Sequence, residues 1–211
     1  MKIISTNTAQ PRTITWKGSE KVTGIFKTPN PEGIYLHPEG VKGDTIGNPK
    51  VHGGRVKAAY LFSEDWYPYW KEAYPTLDWH FGMFGENLTV KGMNEDDLLM
   101  GSLYQAGEAI IRITTPREPC FKLGLRFKDQ GIIDSFVKHG HPGTYVEVLQ
   151  PGFVRAGDPM ELVELPKRKI SIAAFFKMWY AREKDQTLIR EVLDLPWISK
   201  QKQKQLQRWL A

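Results

Sequence analysis

"AIIRITTPREPCFKLGLRF", residues 109–127, runs from a β-branched stretch through two prolines into a helix-forming one, and it holds the sole cysteine of the 211-residue chain. Residues 109–115 read as a strand, rich in Ile and Thr. Pro116 and Pro119 each lack a backbone N–H and stiffen the loop that follows. FKLGL then starts a helix. Cys120 therefore sits where a strand hands over to a helix, between Arg117 and Lys122. A cation or a helix N-terminus close to the thiol favours the thiolate, the form that binds metals. The competing reading is a buried cysteine acting as a small hydrophobe, and the stretch alone leaves both open.

Working outward, KIISTNTA at the N-terminus, residues 56–62, 144–149 and 160–165 repeat the β-branched or aromatic pattern. Two helical stretches interrupt them. One is 63–74, with Ser63 as N-cap and Pro68 near its start. The other is 129–140, where Ile132, Ile133, Phe136 and Val137 form one face and Gly140 the stop. WYPYW (66–70) places Trp66 and Trp70 four apart, a spacing that reads as a helix face on the core rather than a base-stacking platform. After Pro166 the pattern becomes three short helices with Ser171, Asp185 and Ser199 as N-caps. The expected fold is mainly β, a β-barrel with inserted helices (1–165), followed by a three-helix appendage (166–211).

The charge distribution marks the same boundary. Residues 1–165 carry 18 Lys and Arg against 20 Asp and Glu, whereas residues 166–211 carry 11 against 4. Lys200, Lys202 and Lys204 alternate with Gln, which reads as a solvated face rather than a nucleic-acid surface. With 41% apolar residues, 7 Trp, 8 Tyr and 10 Phe, the chain can bury a real core. One cysteine cannot form an internal disulfide, and the N-terminal apolar run is too short for a signal peptide or a membrane span. A soluble, cytoplasmic protein with no membrane association is expected. An all-thiolate iron–sulfur cluster needs about four cysteines, and no GxGxxG or GxxxxGK[ST] motif signals a dinucleotide or P-loop site. His37, His80, His139 and His141 lack ligand spacing and read as surface or loop residues.

Two further segments carry candidate chemistry. Residues 40–62 set five glycines around Lys42, Asp44, His52 and Arg55. Glycines permit close backbone approach to a ligand, and the cations suit a phosphate. Residues 82–93, GMFGENLTVKGM, place Glu86 and Asn87 after a glycine-flanked Phe84. The amide of Asn87 can donate and accept toward a heterocycle edge, and Glu86 can take protons.

Gly43-Asp44 with His52-Gly53-Gly54, then Gly82 through Leu88, then Arg117 to Leu123 occur in one order. That ordered set resembles the MOSC domain, named from the C-terminal part of molybdenum-cofactor sulfurases, and most closely its stand-alone bacterial, YiiM-like members with a C-terminal three-helix region. The resemblance covers nearly the whole chain. It implies a barrel like that of pyruvate kinase and binding of the molybdenum cofactor (molybdopterin), with Cys120 as the protein's thiolate ligand to molybdenum. It also implies reduction of N-hydroxylated compounds such as hydroxylaminopurine-type bases and hydroxylamines.

Motif position and chemistry assign His52, Asp44 and Glu86 to proton supply beside Cys120. They assign Lys42, Gly53, Gly54, Arg55, Phe84, Gly85, Asn87, Thr115, Arg117 and Lys122 to cofactor contact. With one cysteine and no flavin motif, electrons are expected from separate partners, a flavin reductase and an iron–sulfur or haem carrier. One stretch departs from the family pattern: GTYVEVLQPG (143–152) stands where relatives tend to have GWxYRV, which bears on substrate choice. Two other readings stay open beside the reductase: a sulfur carrier using a Cys120 persulfide, and a nucleic-acid-binding module resting on the basic tail. For the tail itself, a lid, a homodimer contact and a partner dock are all open.

Overall fold

The computed structural model describes residues 1–47 and 53–210. Its strands are β1 (Lys2–Thr8), β2 (Arg12–Trp16), β3 (Ser19–Thr23), β4 (Thr28–Pro29), β5 (Ile34–His37), β6 (Gly40–Val41), β7 (Ala59–Ser63), β8 (Leu88–Lys91), β9 (Leu103–Ala106), β10 (Ala109–Pro116), β11 (Thr144–Gln150), β12 (Gly152–Val154) and β13 (Met160–Glu164). Its α-helices are α1 (Tyr67–Ala73), α2 (Phe121–Phe127), α3 (Ile132–His139), α4 (Ile172–Tyr180), α5 (Gln186–Leu193) and α6 (Lys200–Trp209). The sequence expectation for residues 56–62 starts too early: Arg55–Lys57 is a 3-10 turn entered from Gly54 at φ 95°.

A large mixed sheet forms the centre, in the order β13-β9-β10-β11-β7-β8-β1-β4. β7 and β8 run parallel, and the other neighbours are antiparallel. The expected closed barrel is not present among the described residues. The chain entering β13 meets the start of β1 through a Lys2–Pro159 bridge and the bonds Gly157 N to Ile3 O (2.8 Å), Ile3 N to Asp158 O (2.9 Å) and Met160 N to Met1 O (3.0 Å). Among the described residues β1 and β13 form no ladder beyond this bridge, so the architecture is mixed α/β around an open sheet.

The C-terminal helices begin where their caps predict. Ser171, Asp185 and Ser199 accept from Ala174 N (3.1 Å), Leu188 N (2.9 Å) and Lys202 N (3.3 Å). Backbone bonds from Met100 N to Ile170 O and from Ile172 N to Leu98 O stitch α4 to the sheet side. Phe175, Ile189, Val192 and Leu206 are fully buried in one apolar cluster with Ile3, Ile111 and Val148 of the large sheet and Leu36 of β5. Each such side chain contributes roughly 1.5–3 kcal/mol on burial.

A second, aromatic cluster packs Phe62, Trp70, Phe84 and Phe136, with Phe62 stacked on Phe84 at 4.0 Å. Trp70 thus serves the core, as its spacing predicts, while Trp66 stacks on His141 at 3.9 Å. The histidine reading changes here. His139 is half-buried against Trp66, Tyr69 and Trp70 instead of facing solvent. Among the described residues no helix is long and apolar enough to cross a membrane.

Candidate functional site

β10 leaves the sheet at Pro116, and Cys120 caps α2 with extended backbone (φ −137°, ψ 169°). Its side chain makes no capping bond, so the half-buried thiol is not spent on the helix. The β2–β3 hairpin braces this turn: Trp16 stacks on Phe121 at 4.7 Å, and Lys122 Nζ donates to Val22 O at 3.2 Å. A cleft with about 680 Å³ of empty space opens beside Cys120. Its walls include Lys27, Asp44, Phe84, Gly85, Asn87, Arg117 and Lys122. Three sequence segments predicted separately thus meet on one cavity.

Arg117 is the dominant charge there. It is 5% exposed, its guanidinium lies over the rings of Tyr60 (5.2 Å) and Phe136 (5.4 Å), and its Nη1 has no hydrogen-bond partner. Burial opposes its charge, but Tyr60, Tyr145, Cys120 and Glu86 together outweigh that and hold the group above its ordinary value. Burial pushes Lys122 down, with Lys21 adding to the fall and Cys120 opposing it. Both cations therefore feel the thiol. At Gly47 an added Cβ would stand 2.3 Å from Val22 O and 2.6 Å from Thr23 Cα, so only glycine lets this loop pack against the end of β3, beside Lys122 Nζ.

Several assigned residues do other work. Asp44 Oδ1 accepts from Ala9 N (2.8 Å); its Oδ2 accepts from Asn87 Nδ2 (2.9 Å) and pairs closely with Lys27 Nζ. Both oxygens are committed, which makes Asp44 an anchor of the cleft wall and not a free acid. Asn87 is likewise engaged, donating to Asn7 O (3.2 Å) and accepting from Tyr60 N (3.2 Å). Glu86 is fully buried behind the wall. It accepts from Tyr67 OH, Gly82 N (2.8 Å), Thr89 Oγ1 (2.9 Å) and Phe84 N (3.1 Å), which shapes the 82–87 loop and removes it as a proton donor to the cleft.

Thr115 is buried, its carbonyl accepting from Thr144 Oγ1 at 3.3 Å, and it does not line the cleft. Lys42 and Arg55 face solvent, Arg55 lying 3.9 Å from Glu147; Gly53 and Gly54 do not line the cleft either. His52 lies outside the described residues.

Sequence reading missed Lys27, Lys57, Tyr60, Glu118, Tyr145 and Lys202. Lys27 is buried against Asp44, and burial pulls it below its ordinary value while Asp44 opposes. Its only sequence signal is a lysine closing the apolar run GIF. Lys202, read as solvated, is buried: its Nζ pairs with Glu118 Oε1 and lies 3.9 Å over the Trp179 ring. Leu206, four residues on and fully buried, marks that helix face in the sequence. A second cleft, with about 890 Å³ of empty space, lies between the Cys120 loop and the C-terminal helices. Lys57, Glu118, Cys120 and Tyr145 line both cavities, so the thiol stands at their seam. Tyr145 comes from the stretch that departs from the family pattern; burial pushes its hydroxyl up to about 12. That stretch therefore does reach the site.

The MOSC domain family matches residues 48–161. The uncharacterized protein YflK of Bacillus subtilis is 31% identical over 191 residues, covering 90% of this chain and 86% of YflK. A protein named reductase from Gibberella moniliformis is 31% identical over 182 residues, covering 85% of this chain and 32% of that longer protein. The crystal structure of YiiM from Geobacillus stearothermophilus superposes with a TM-score of 0.83 at 28% identity, covering 100% of this chain and 99% of that one. The ordered motifs, the cavity they share around Cys120 and these matches have one reading: the chain belongs to the MOSC domain family.

Proposed function

We propose that this protein is a molybdenum-cofactor-dependent oxidoreductase that reduces N-hydroxylated compounds. The observation that carries the proposal is Cys120 at the seam of two clefts, beside a buried Arg117 whose Nη1 has no partner. Among the described residues no group of three or more His, Cys, Asp or Glu is placed to hold a metal ion. On the family resemblance, a metal at Cys120 would be molybdenum held in a pterin dithiolene. The chain's residues fit that group. Arg117 and Lys122 would meet its phosphate, a bidentate guanidinium being well suited to phosphate oxygens. A relative named reductase and the family's link to molybdenum-cofactor sulfurases support the same class.

Held by Cys120, Arg117 and Lys122, the cofactor would supply a two-electron redox change at the thiol. Overall, the N–O bond breaks, two electrons and two protons enter, and an amine and water leave. The chain's part is to hold substrate and protons at the seam. Lys57 is the group best placed for proton supply. Burial lowers it from its ordinary value, Lys202 lowers it further, and Glu118 opposes. A lysine lowered in this way gives up its Nζ proton more readily. Electrons come from separate proteins, of the flavin reductase and iron–sulfur or haem carrier classes.

The test is molybdenum content of full-length protein made in a cofactor-competent host. Wild type should carry molybdenum and Cys120→Ser should lose it. No metal in wild type, or equal metal in both, overturns the proposal; a one-sulfur mass increase on Cys120 without molybdenum moves it to sulfur transfer.

A further inference from the structure

The two clefts that meet at Cys120 differ in chemistry. The first holds Lys27, Arg117 and Lys122 and suits an anion. The far wall of the second comes from the C-terminal helices: Trp179 of α4, with Ser199, Gln201, Lys202 and Gln205 at α6. Two of those groups are already spent. The Ser199 hydroxyl caps Lys202 N (3.3 Å), and Lys202 Nζ pairs with Glu118.

The carboxamides of Gln201 and Gln205 are not spent. They are four residues apart, so they share one face of α6. Neither amide has a hydrogen-bond partner among the described residues. Each offers one acceptor oxygen and two N–H donors without charge. Beside them stands the half-buried indole of Trp179. The enclosed cavity volume, about 320 Å³, sits at the lower end of the roughly 300–1,000 Å³ common for small-molecule sites. Uncharged amides next to an aromatic ring fit a flat, neutral molecule that shows adjacent donors and acceptors on its edge. A charged substrate finds Lys202 and Glu118 already paired with each other, and Lys57, the other lysine on this cleft, is lowered from its ordinary value by burial.

We propose that Gln201 and Gln205 determine substrate specificity, reading the polar edge of a neutral heteroaromatic N-hydroxylated compound whose N–OH group points toward the Cys120 seam. The inference rests on the reductase reading, and its test separates the two. Adenine serves as a product-like probe, titrated calorimetrically into full-length, cofactor-loaded protein; N-hydroxyadenine and hydroxylamine serve as large and small substrates. In the double variant Gln201→Leu/Gln205→Leu, adenine affinity should fall roughly tenfold or more, as expected for two lost hydrogen bonds. KM for N-hydroxyadenine should rise by a similar factor, while that for hydroxylamine stays within about twofold, since a small substrate has no edge to be read. The isosteric Gln205→Glu should weaken adenine binding without changing the shape of the wall.

Unchanged adenine binding in the double variant, or no binding to wild type, overturns the assignment even if both compounds are reduced. Equal KM increases for both substrates also overturn it. If adenine binds and the variants lose it while neither compound is reduced, the recognition stands and the reductase reading falls.

Discussion

Replacing Glu118 with Gln should harm the protein more than removing its partner Lys202. The Lys202 side chain is 7% exposed and lies over the rings of Trp179 (3.9 Å) and Phe175 (5.5 Å); Glu118 is 40% exposed. Glu118→Gln leaves a buried ammonium without its counter-charge. Breaking a buried pair in this way costs about 3–5 kcal/mol, and the exposure of Glu118 reduces that to roughly 1–3 kcal/mol. Lys202→Met instead fills the same apolar slot and leaves a carboxylate that reaches water, so the loss should stay below about 1 kcal/mol. The sign with pH follows. Burial lowers Lys202 and Glu118 opposes that fall, so Glu118→Gln lowers it further. Its destabilisation is then full below the folded-state values of both forms and shrinks as pH rises through them. Urea unfolding of both single variants and the double variant, at neutral and alkaline pH, measures this. Equal losses in the two single variants, or a Glu118→Gln loss that grows with pH, would refute the reasoning.

Two further outcomes are expected. Burial first, then His141, lowers His139 to about 4 against an ordinary 6.5. The folded state therefore holds it neutral, and stability is lost as pH falls from about 6.5 toward 4; after discounting for partial exposure this is on the order of 1–2 kcal/mol. His139→Phe should flatten that part of the stability–pH profile, and an unchanged profile would exclude His139 as its source. Inorganic phosphate should raise the melting temperature of the full chain through Arg117: at ten times its dissociation constant the gain is about 1.4 kcal/mol, or roughly 3–6 °C. Equal phosphate-induced increments in wild type and Arg117→Met would remove Arg117 as an anion ligand.

The fold was legible where side-chain periodicity carries the information. The helix caps at Ser171, Asp185 and Ser199 act through their own next turn, so three residues of context suffice. The strand before Cys120 and the helix after it announce themselves through β-branching and two prolines. Barrel closure was not legible, because it depends on whether β1 and β13 run together beyond Ile3, which no local pattern encodes. At the site, motif residues were visible, but their roles were not. Asp44 and Glu86 look like acids in sequence and prove to be acceptors for Lys27 and for the backbone of the 82–87 loop. Lys202 was hidden by its Gln and Lys neighbours, since alternation of polar residues conceals one position turned inward by Leu206.

The buried cations of the site separate into two kinds, and the separation gives the seam its direction. Lys27 and Lys202 each have a carboxylate, Asp44 and Glu118. Those pairs fix walls: one joins the 44 loop to the segment before β4, the other joins α6 to the Cys120 loop. Arg117 and Lys122 have no carboxylate within ion-pair distance among the described residues, and both lie on the side of the first cleft. An uncompensated buried cation is costly unless something negative shares its space. An anionic ligand entering the first cleft removes that cost, whereas one entering the second finds Lys202 already paired with Glu118. The same thiol thus faces a cavity that favours a charged, phosphate-bearing group on one side and a cavity that favours a neutral one on the other. A redox cofactor and its uncharged substrate need that arrangement if they are to meet at one atom without competing for the same half of the site.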